Sequence, residues 1–145
     1  MTRVLVVDDD APIRLLCRVN LEAEKMEVIE AADGPSGLEK ARSERPDVVL
    51  LDVMLPRMDG WEVAEQLLDD PATADIPIIF LTARAEFGDR ARGLEIGGVD
   101  YVTKPFNPIG LAALIRELLE RVRRGERDEM RRQKLATLRE ITDSG

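Results

Sequence analysis

Short runs of apolar residues alternate along the chain with longer segments in which apolar and polar residues are mixed. The runs are continuous and rich in β-branched residues, a pattern typical of strands that are buried on both faces of a parallel sheet. Five strands are predicted in this way, at Val4–Val7, Val28–Ala31, Val48–Leu51, Ile78–Leu81 and Tyr101–Val102 with its flanks.

The segments between the strands have the three- and four-residue apolar spacing of amphipathic helices. The clearest stripes are Ile13, Leu16, Cys17 and Leu21, then Val63, Ala64, Leu67 and Leu68, and finally Leu111, Ile115, Leu118, Leu119 and Val122. Residues 35–44 and 86–97 are predicted as helices mainly because of the strands that flank them.

This alternation of strands and helices predicts an α/β fold. Right-handed crossovers leave few topologies, and we expect a flavodoxin-like five-stranded parallel sheet of order 2-1-3-4-5 with helices on both faces. The pattern indicates one domain over residues 1–122. Residues 123–145 are highly charged and have few large apolar side chains, so we expect a charged helical extension or linker that is partly frayed.

The charge of the chain narrows the choice of partners. The net charge is −8; residues 1–122 hold 24 acidic and 14 basic side chains (−10), and residues 123–145 hold 5 and 7 (+2). An acidic body lacks the basic patches that nucleic acids require, so we expect no direct nucleic-acid binding by residues 1–122. No apolar run approaches the roughly 20 residues of a membrane span, and the start has no signal-peptide pattern. We therefore expect a cytoplasmic protein without membrane contact.

Two residue types that dominate enzyme chemistry are scarce. The chain has no histidine and a single cysteine, Cys17. This excludes imidazole acid–base catalysis, histidine metal sites, cysteine zinc sites and an internal disulfide. We expect Cys17, which lies in an apolar stripe, to be a buried structural thiol.

Side chains that could carry chemistry stand where the predicted strands end. Strand 1 runs into Asp8 and Asp9, strand 3 into Asp52, strand 4 into Thr82 and strand 5 into Lys104. In open α/β sheets, ligands bind at the carboxyl ends of the strands. Two carboxylates about 4 Å apart repel each other by roughly 4 kcal/mol at an effective dielectric constant of 20. Three of them need a cation, and oxygen ligands suit Mg²⁺ or Mn²⁺.

A purely structural role is the alternative for these acids. Aspartates after strands often cap helices, and we expect Asp10, which precedes Pro12, to do so. The coincidence of carboxylates, hydroxyl and amine at the ends of four strands favours a site. No glycine-rich phosphate-binding loop follows strand 1. A phosphoryl group would therefore be bound through metal, lysine and hydroxyl.

Five segments together carry a resemblance to a known family. They are residues 4–10 (VLVVDDD), 50–56 (LLDVMLP), 58–60 (MDG), 81–83 (LTA) and 100–106 (DYVTKPF). In this order and spacing, residues 1 to about 122 resemble the receiver domain of two-component response regulators. The resemblance implies a phosphoprotein of a phosphorelay, and no enzymatic activity beyond self-phosphorylation and slow autodephosphorylation.

The resemblance assigns roles to the acidic cluster. It implies that Asp52 accepts a phosphoryl group from a sensor histidine kinase or a histidine phosphotransfer protein. It also implies a Mg²⁺ or Mn²⁺ ion held by Asp8, Asp9, Asp52 and the backbone carbonyl of Met54.

Residues of the last two strands receive roles in the same way. Thr82, Ala83 and Lys104 are implied to contact the phosphoryl group. Thr82 and the aromatic Tyr101 are implied to move on activation, and the bond between Lys104 and Pro105 to be cis.

One surface departs from a subfamily pattern. In winged-helix regulators, the predicted helix at 86–97, the last strand and the helix at 111–122 form a face with reciprocal ion pairs. Arg90, Asp100 and Arg121 fit that pattern, but Gly110 and Leu114 stand where an acid and a base are expected. We expect this face to switch and to bind a partner through an apolar surface centred on Leu114. A homodimer through the face and an isolated exposed leucine are the alternatives.

Two other functions share part of this pattern. A phosphatase similar to the haloacid dehalogenases would use Asp8 as nucleophile, Asp10 as acid, and Thr82 with Lys104. That superfamily has a further acidic motif after the lysine, which this sequence lacks, and often a cap domain. A receiver that works without phosphorylation is disfavoured because no motif position is lost.

Overall fold

The computed structural model of the chain describes residues 1–83, 100–104, 106–130, 132, 133 and 136, with the backbone alone at Thr82 and Ala83. Strands and helices alternate over these residues, as the apolar pattern predicts. In chain order they are β1 (Arg3–Val7), α1 (Ala11–Ala23), β2 (Glu27–Ala31), α2 (Gly34–Glu44), β3 (Val48–Asp52), α3 (Gly60–Asp69), β4 (Ile78–Ala83), β5 (Asp100–Lys104), a 3₁₀ turn (Pro108–Gly110) and α4 (Leu111–Arg123).

The five strands form one parallel sheet of order β2-β1-β3-β4-β5. The predicted fold class and strand order are therefore confirmed. β1 and β3 are neighbours at the centre of the sheet, and Val7 of β1 pairs with Leu51 of β3. Because the strands are parallel and in register, the residues that follow them emerge at one edge of the sheet.

The two faces of the sheet bury separate hydrophobic clusters. On one face, Val6 and Leu50 pack with Cys17 of α1 and Ile115 of α4. The other face packs against α2 and α3, where the ring centroids of Trp61 and Phe80 lie 4.9 Å apart. Cys17 is buried as expected, and desolvation raises the pKa of its thiol to about 11. It is a core residue rather than a reactive thiol.

Aspartates begin the first three helices. Asp10 accepts a hydrogen bond from the Ile13 amide at 3.4 Å, which confirms its expected capping role. Asp33 caps α2 in the same manner, and Asp59 caps α3 through the Glu62 amide at 3.0 Å. These caps satisfy backbone donors of the first turn and set where each helix leaves the strand ends.

The buried face of α1 differs from the predicted stripe at one residue. The apolar spacing predicts that Leu16 is buried, but its side chain is 51% exposed, so that prediction is wrong, whereas Cys17 and Leu21 are buried. The predicted helix at 86–97 lies outside the described residues. Among the residues that are described, no helix is long and apolar enough to cross a membrane.

The chain continues beyond α4 with a further helical turn at residues 127–130. Met130 at its end is only 6% exposed and belongs to the same core cluster as Ile115. This part of the extension is therefore packed on the domain.

Candidate functional site

Three strand ends build the core of the site. Asp8 follows β1, Asp52 is the last residue of β3, and Lys104 is the last residue of β5. Asp8 is completely buried and Asp52 is 5% exposed. The Lys104 side chain reaches past the end of β4 to both carboxylates. The predicted convergence of strand ends thus places two acids and an amine in direct contact.

The contacts are short. Lys104 Nζ lies 2.7 Å from Asp8 Oδ2 and 3.2 Å from Asp52 Oδ2. The second oxygen of each acid accepts a backbone hydrogen bond, from the Asp10 amide to Asp8 at 2.9 Å and from the Met54 amide to Asp52 at 3.1 Å. These bonds orient both carboxylates. Each oxygen still has lone pairs for a further ligand.

The site raises the pKa of both Asp52 and Lys104, for different reasons. Desolvation, reinforced by the charge of Asp8, raises the pKa of Asp52 to about 6, even though Lys104 opposes the shift. Desolvation also disfavours the charged form of Lys104, but its hydrogen bond to Asp8 and the charges of Asp52 and Asp8 outweigh it, so its pKa is raised. The amine therefore stays charged at neutral pH, and Asp52 carries an ionisation penalty that one lysine does not remove.

The donor set fits a divalent cation. Asp8, Asp9 and Asp52 each offer a carboxylate oxygen, and these atoms lie within 4.8 Å of one another. Three carboxylates and one ammonium leave a net charge of −2 when all are ionised. Hard oxygen ligands of this charge match Mg²⁺ or Mn²⁺. Asp9 is exposed, so the third ligand faces solvent, from which a cation and its waters can enter.

An open groove lies beside the carboxylates. Its volume is about 490 Å³, and it is lined by Asp9, Val53, Met54, Leu55, Pro56, Asp59 and Trp61. The loop after β3 thus forms one wall of the approach to Asp52. Asp9, which also belongs to the carboxylate cluster with Asp8 and Asp52, connects this groove to the site.

Gly60 sets the position of that loop. Its amide donates to the Val53 carbonyl at 2.9 Å. A Cβ at this position would lie 2.4 Å from the carbonyl oxygen of Asp52 and 2.8 Å from the Cα of Val53. Only glycine permits the first turn of α3 to approach the end of β3 this closely.

Comparisons with known proteins agree with this geometry. The family described as "Response regulator receiver domain" matches residues 4–116. The chain belongs to the response regulator receiver family. The predicted family is thereby confirmed, and the phosphatase alternative is not favoured.

Individual relatives support the same assignment. The chain is 49% identical over 117 residues to the response regulator PleD of Caulobacter vibrioides, a match that covers 80% of this chain and 26% of that protein. It is 45% identical over 119 residues to the transcriptional regulatory protein PhoP of Bacillus subtilis, covering 82% and 49%. The chain spans about half or less of the length of these curated relatives.

Solved structures share the fold. A CheY-like receiver domain protein of Methanospirillum hungatei matches with a TM-score of 0.79 at 32% identity, over 86% of this chain and 98% of that one. The chemotaxis response regulator CheY4 of Vibrio cholerae matches with a TM-score of 0.75 at 33% identity, over 81% and 98%.

The structure also shows where the predicted site residues of β4 and β5 lie. The backbones of Thr82 and Ala83 pair with Thr103 and Lys104, so both lie at the edge that carries the acids. Tyr101 is half-buried and packs against the cluster on the α2–α3 face. The side chains of Thr82 and Ala83 lie outside the described residues, as does Pro105.

The structure describes part of the predicted partner surface. Leu114 is half-buried and lies against the core cluster to which Met130 belongs. Asp100 is 5% exposed. Arg121 is paired with Glu126 at 3.1 Å. Arg90 lies outside the described residues.

Sequence reasoning missed an exposed apolar patch on α1. Leu15, Leu16 and Val19 are 58%, 51% and 57% exposed. α1 begins directly after Asp10, so its first turns stand beside the acidic edge of the receiver domain. The signal in the sequence is that α1 has apolar residues on both sides, whereas burial against the core requires only one apolar face.

Proposed function

We propose that the protein receives a phosphoryl group on Asp52 from a phosphohistidine of a sensor kinase or a histidine phosphotransfer protein. One observation carries the proposal: the buried carboxylate of Asp52 contacts Lys104 and lies beside Asp8 and Asp9. In the transfer, a carboxylate oxygen of Asp52 bonds to phosphorus as the P–N bond to the donor imidazole breaks, and the imidazole nitrogen keeps the bonding electrons.

The side chains of the site have separate tasks in this reaction. Asp52 attacks as the carboxylate, and the Met54 amide orients it. Lys104 Nζ, which lies 3.2 Å from Asp52 Oδ2, would donate a hydrogen bond to a phosphoryl oxygen once the carboxylate becomes an acyl phosphate. A divalent cation on Asp8, Asp9 and Asp52, with the Met54 carbonyl, would neutralise the oxygens of the transferring group.

The switch follows from the change in charge at the strand ends. An acyl phosphate adds negative charge and acceptor oxygens next to Lys104 at the end of β5. The Thr82 hydroxyl is the proposed second contact, and Tyr101 the residue that moves with β5. We propose that these shifts alter the face formed by β5 and α4, and that a protein partner responds to it.

The phosphodonor also needs a surface to dock on. Leu15, Leu16 and Val19 of α1 provide exposed apolar area next to the acidic edge. A donor whose histidine approaches Asp52 would come close to the first turns of α1, which follow Asp10. We therefore propose the patch as the docking contact of the histidine-bearing protein.

A small phosphodonor tests the proposed function. Acetyl phosphate and Mg²⁺ should add one phosphoryl group per chain, measured by intact mass, and Asp52→Asn should abolish the label. Asp69→Asn is the matched control, because Asp69 is exposed and far along α3 from the site. Chelation of Mg²⁺ should prevent labelling. Undiminished labelling of the Asp52→Asn protein, or catalytic turnover of a phosphoester by the wild type, would contradict the proposal.

A further inference from the structure

The residues that follow α4 fold back onto the receiver domain through a defined turn. Gly125 has φ +78°, a conformation that favours glycine. The amide of Glu126 donates to the Arg121 carbonyl at 3.0 Å, and that of Gly125 to the Val122 carbonyl at 3.0 Å. These two bonds form a Schellman motif, which ends a helix and reverses the chain. The sequence thus directs the next residues back along α4.

Polar contacts hold the returning segment to α4. Arg121 donates to Glu126 at 3.1 Å and to the side-chain oxygen of Gln133 at 3.3 Å. Arg124 contacts the other carboxylate oxygen of Glu126 at 2.7 Å. Arg127 reaches the Asp75 carbonyl at 3.0 Å, in the loop before β4. The segment therefore spans from α4 to the amino ends of the strands.

An apolar contact lies between these polar ones. Met130 is 6% exposed and packs in the same cluster as Leu118, which is 2% exposed. Leu114 lies against the same cluster. A cavity of about 200 Å³ remains between the segment and the face, lined by Asp100, Leu114, Glu117, Leu118, Arg121, Met130 and Gln133.

We propose that Glu126–Met130 with Gln133, here called the C-terminal cover, occupies the β5–α4 face in the resting protein and is displaced by any partner of that face. The cover also indicates what such a partner looks like. Glu126 of the cover pairs with Arg121, and Met130, four residues later, packs in the cluster that contains Leu118. A helical segment with an acidic and an apolar residue at this spacing would compete for the same contacts.

The cover weakens the binding of partners to the β5–α4 face. A partner that needs the open face binds more weakly by the fraction of molecules in which the face is open. This consequence rests on the proposed function, because it takes the β5–α4 face as the responsive surface. The docking of the cover itself is independent of phosphoryl transfer and can be tested without it.

Hydrogen exchange at the Met130 amide reports docking, because its 2.9 Å bond to the Glu126 carbonyl lies in a single helical turn, which is unstable in water unless it is packed. Met130→Asp places a charge where an apolar side chain is buried and should speed exchange of this amide about tenfold or more. Glu126→Gln should speed it severalfold. Ile109→Asp is the matched control, because it also replaces a large apolar side chain by aspartate, but at a position that is 78% exposed, and it should leave exchange unchanged.

The result that overturns docking is exchange at residue 130 that is equal in the wild type, Met130→Asp and Glu126→Gln. Protection of the Leu50 amide in β3 reports that each variant is folded, and Glu126→Gln keeps the test decisive if Met130→Asp unfolds. No phosphodonor or Mg²⁺ is present. A failure of Asp52 labelling and a failure of the cover are therefore separate results.

A peptide tests the competition. A fluorescent peptide of residues 125–136 should bind the intact Met130→Asp protein at least tenfold more tightly than the wild type, whose face is occupied. The same peptide with Met130→Asp should bind neither protein. Equal affinity of the unmodified peptide for both proteins, or no binding to the variant, would refute displacement of the cover by such a partner.

Discussion

Replacement of Asp52 by asparagine should stabilise the fold at neutral pH in the absence of a divalent cation. The pKa of Asp52 rises from 3.8 to about 6 on folding, chiefly by desolvation and next by the charge of Asp8. A carboxyl group whose pKa is raised by folding takes up a proton on folding between the two pKa values, so its ionisation lowers the free energy of unfolding as pH rises through that range. The free energy of unfolding therefore falls as pH rises from about 4 through about 6. A shift of about 2 pH units corresponds to about 3 kcal/mol.

The assay is urea unfolding of the wild type and Asp52→Asn in EDTA at several pH values. At pH 7.5 the variant should be more stable by up to about 3 kcal/mol, and at pH 5 by about half of that. The amide oxygen of the introduced asparagine can still accept the Met54 amide, and Lys104 keeps Asp8, so little else is lost. Mg²⁺ should narrow the difference, since it stabilises the wild type by binding the folded site.

A matched control separates this effect from a general change of charge. Asp69→Asn removes one exposed carboxylate and should change stability by no more than about 0.5 kcal/mol. The reasoning would be refuted if Asp52→Asn were less stable than the wild type at pH 7.5, or if its advantage did not shrink towards pH 5.

Two further substitutions test the loop and the docking patch. Gly60→Ala should lower the free energy of thermal unfolding by about 3 kcal/mol, because the added Cβ would lie 2.4 Å from the Asp52 carbonyl oxygen. Gly110→Ala is the control, because an added Cβ there has no other atom within 4 Å. It should change the same free energy by less than about 1 kcal/mol. Equal effects would contradict the close approach. Leu16→Asp should slow labelling by a phosphorylated histidine phosphotransfer protein about tenfold and leave labelling by acetyl phosphate unchanged. A loss with both donors would instead indicate damage to the site.

The parts of the fold that could be predicted are those in which local pattern and topology determine the result. Continuous apolar runs identify the strands, and parallel strands bring their carboxyl ends together. For this reason Asp8, Asp52 and Lys104 could be placed at one edge from sequence alone. Their hydrogen-bond partners, such as the Met54 amide, depend on the exact path of the loops.

Helix faces were harder to predict. α1 has apolar side chains at Ile13, Leu15, Leu16, Cys17 and Val19, so a three-to-four-residue period does not choose one face. The packing of β1 and β3 decides that Cys17 turns inwards and Leu16 outwards. The burial of Met130 could not be predicted either, because this residue stands among charged ones after α4, and a tertiary contact of this kind leaves no periodic signal.

The direct seating of α3 on β3 has a mechanical consequence. With no side chain between Gly60 and the Asp52 peptide, the strand end and the helix form one stiff joint. A strain created at the Asp52 side chain meets little compliance on that side. Lys104 joins Asp52 to the end of β5 at 3.2 Å, so we expect a change of charge at Asp52 to act on β5 more than on α3.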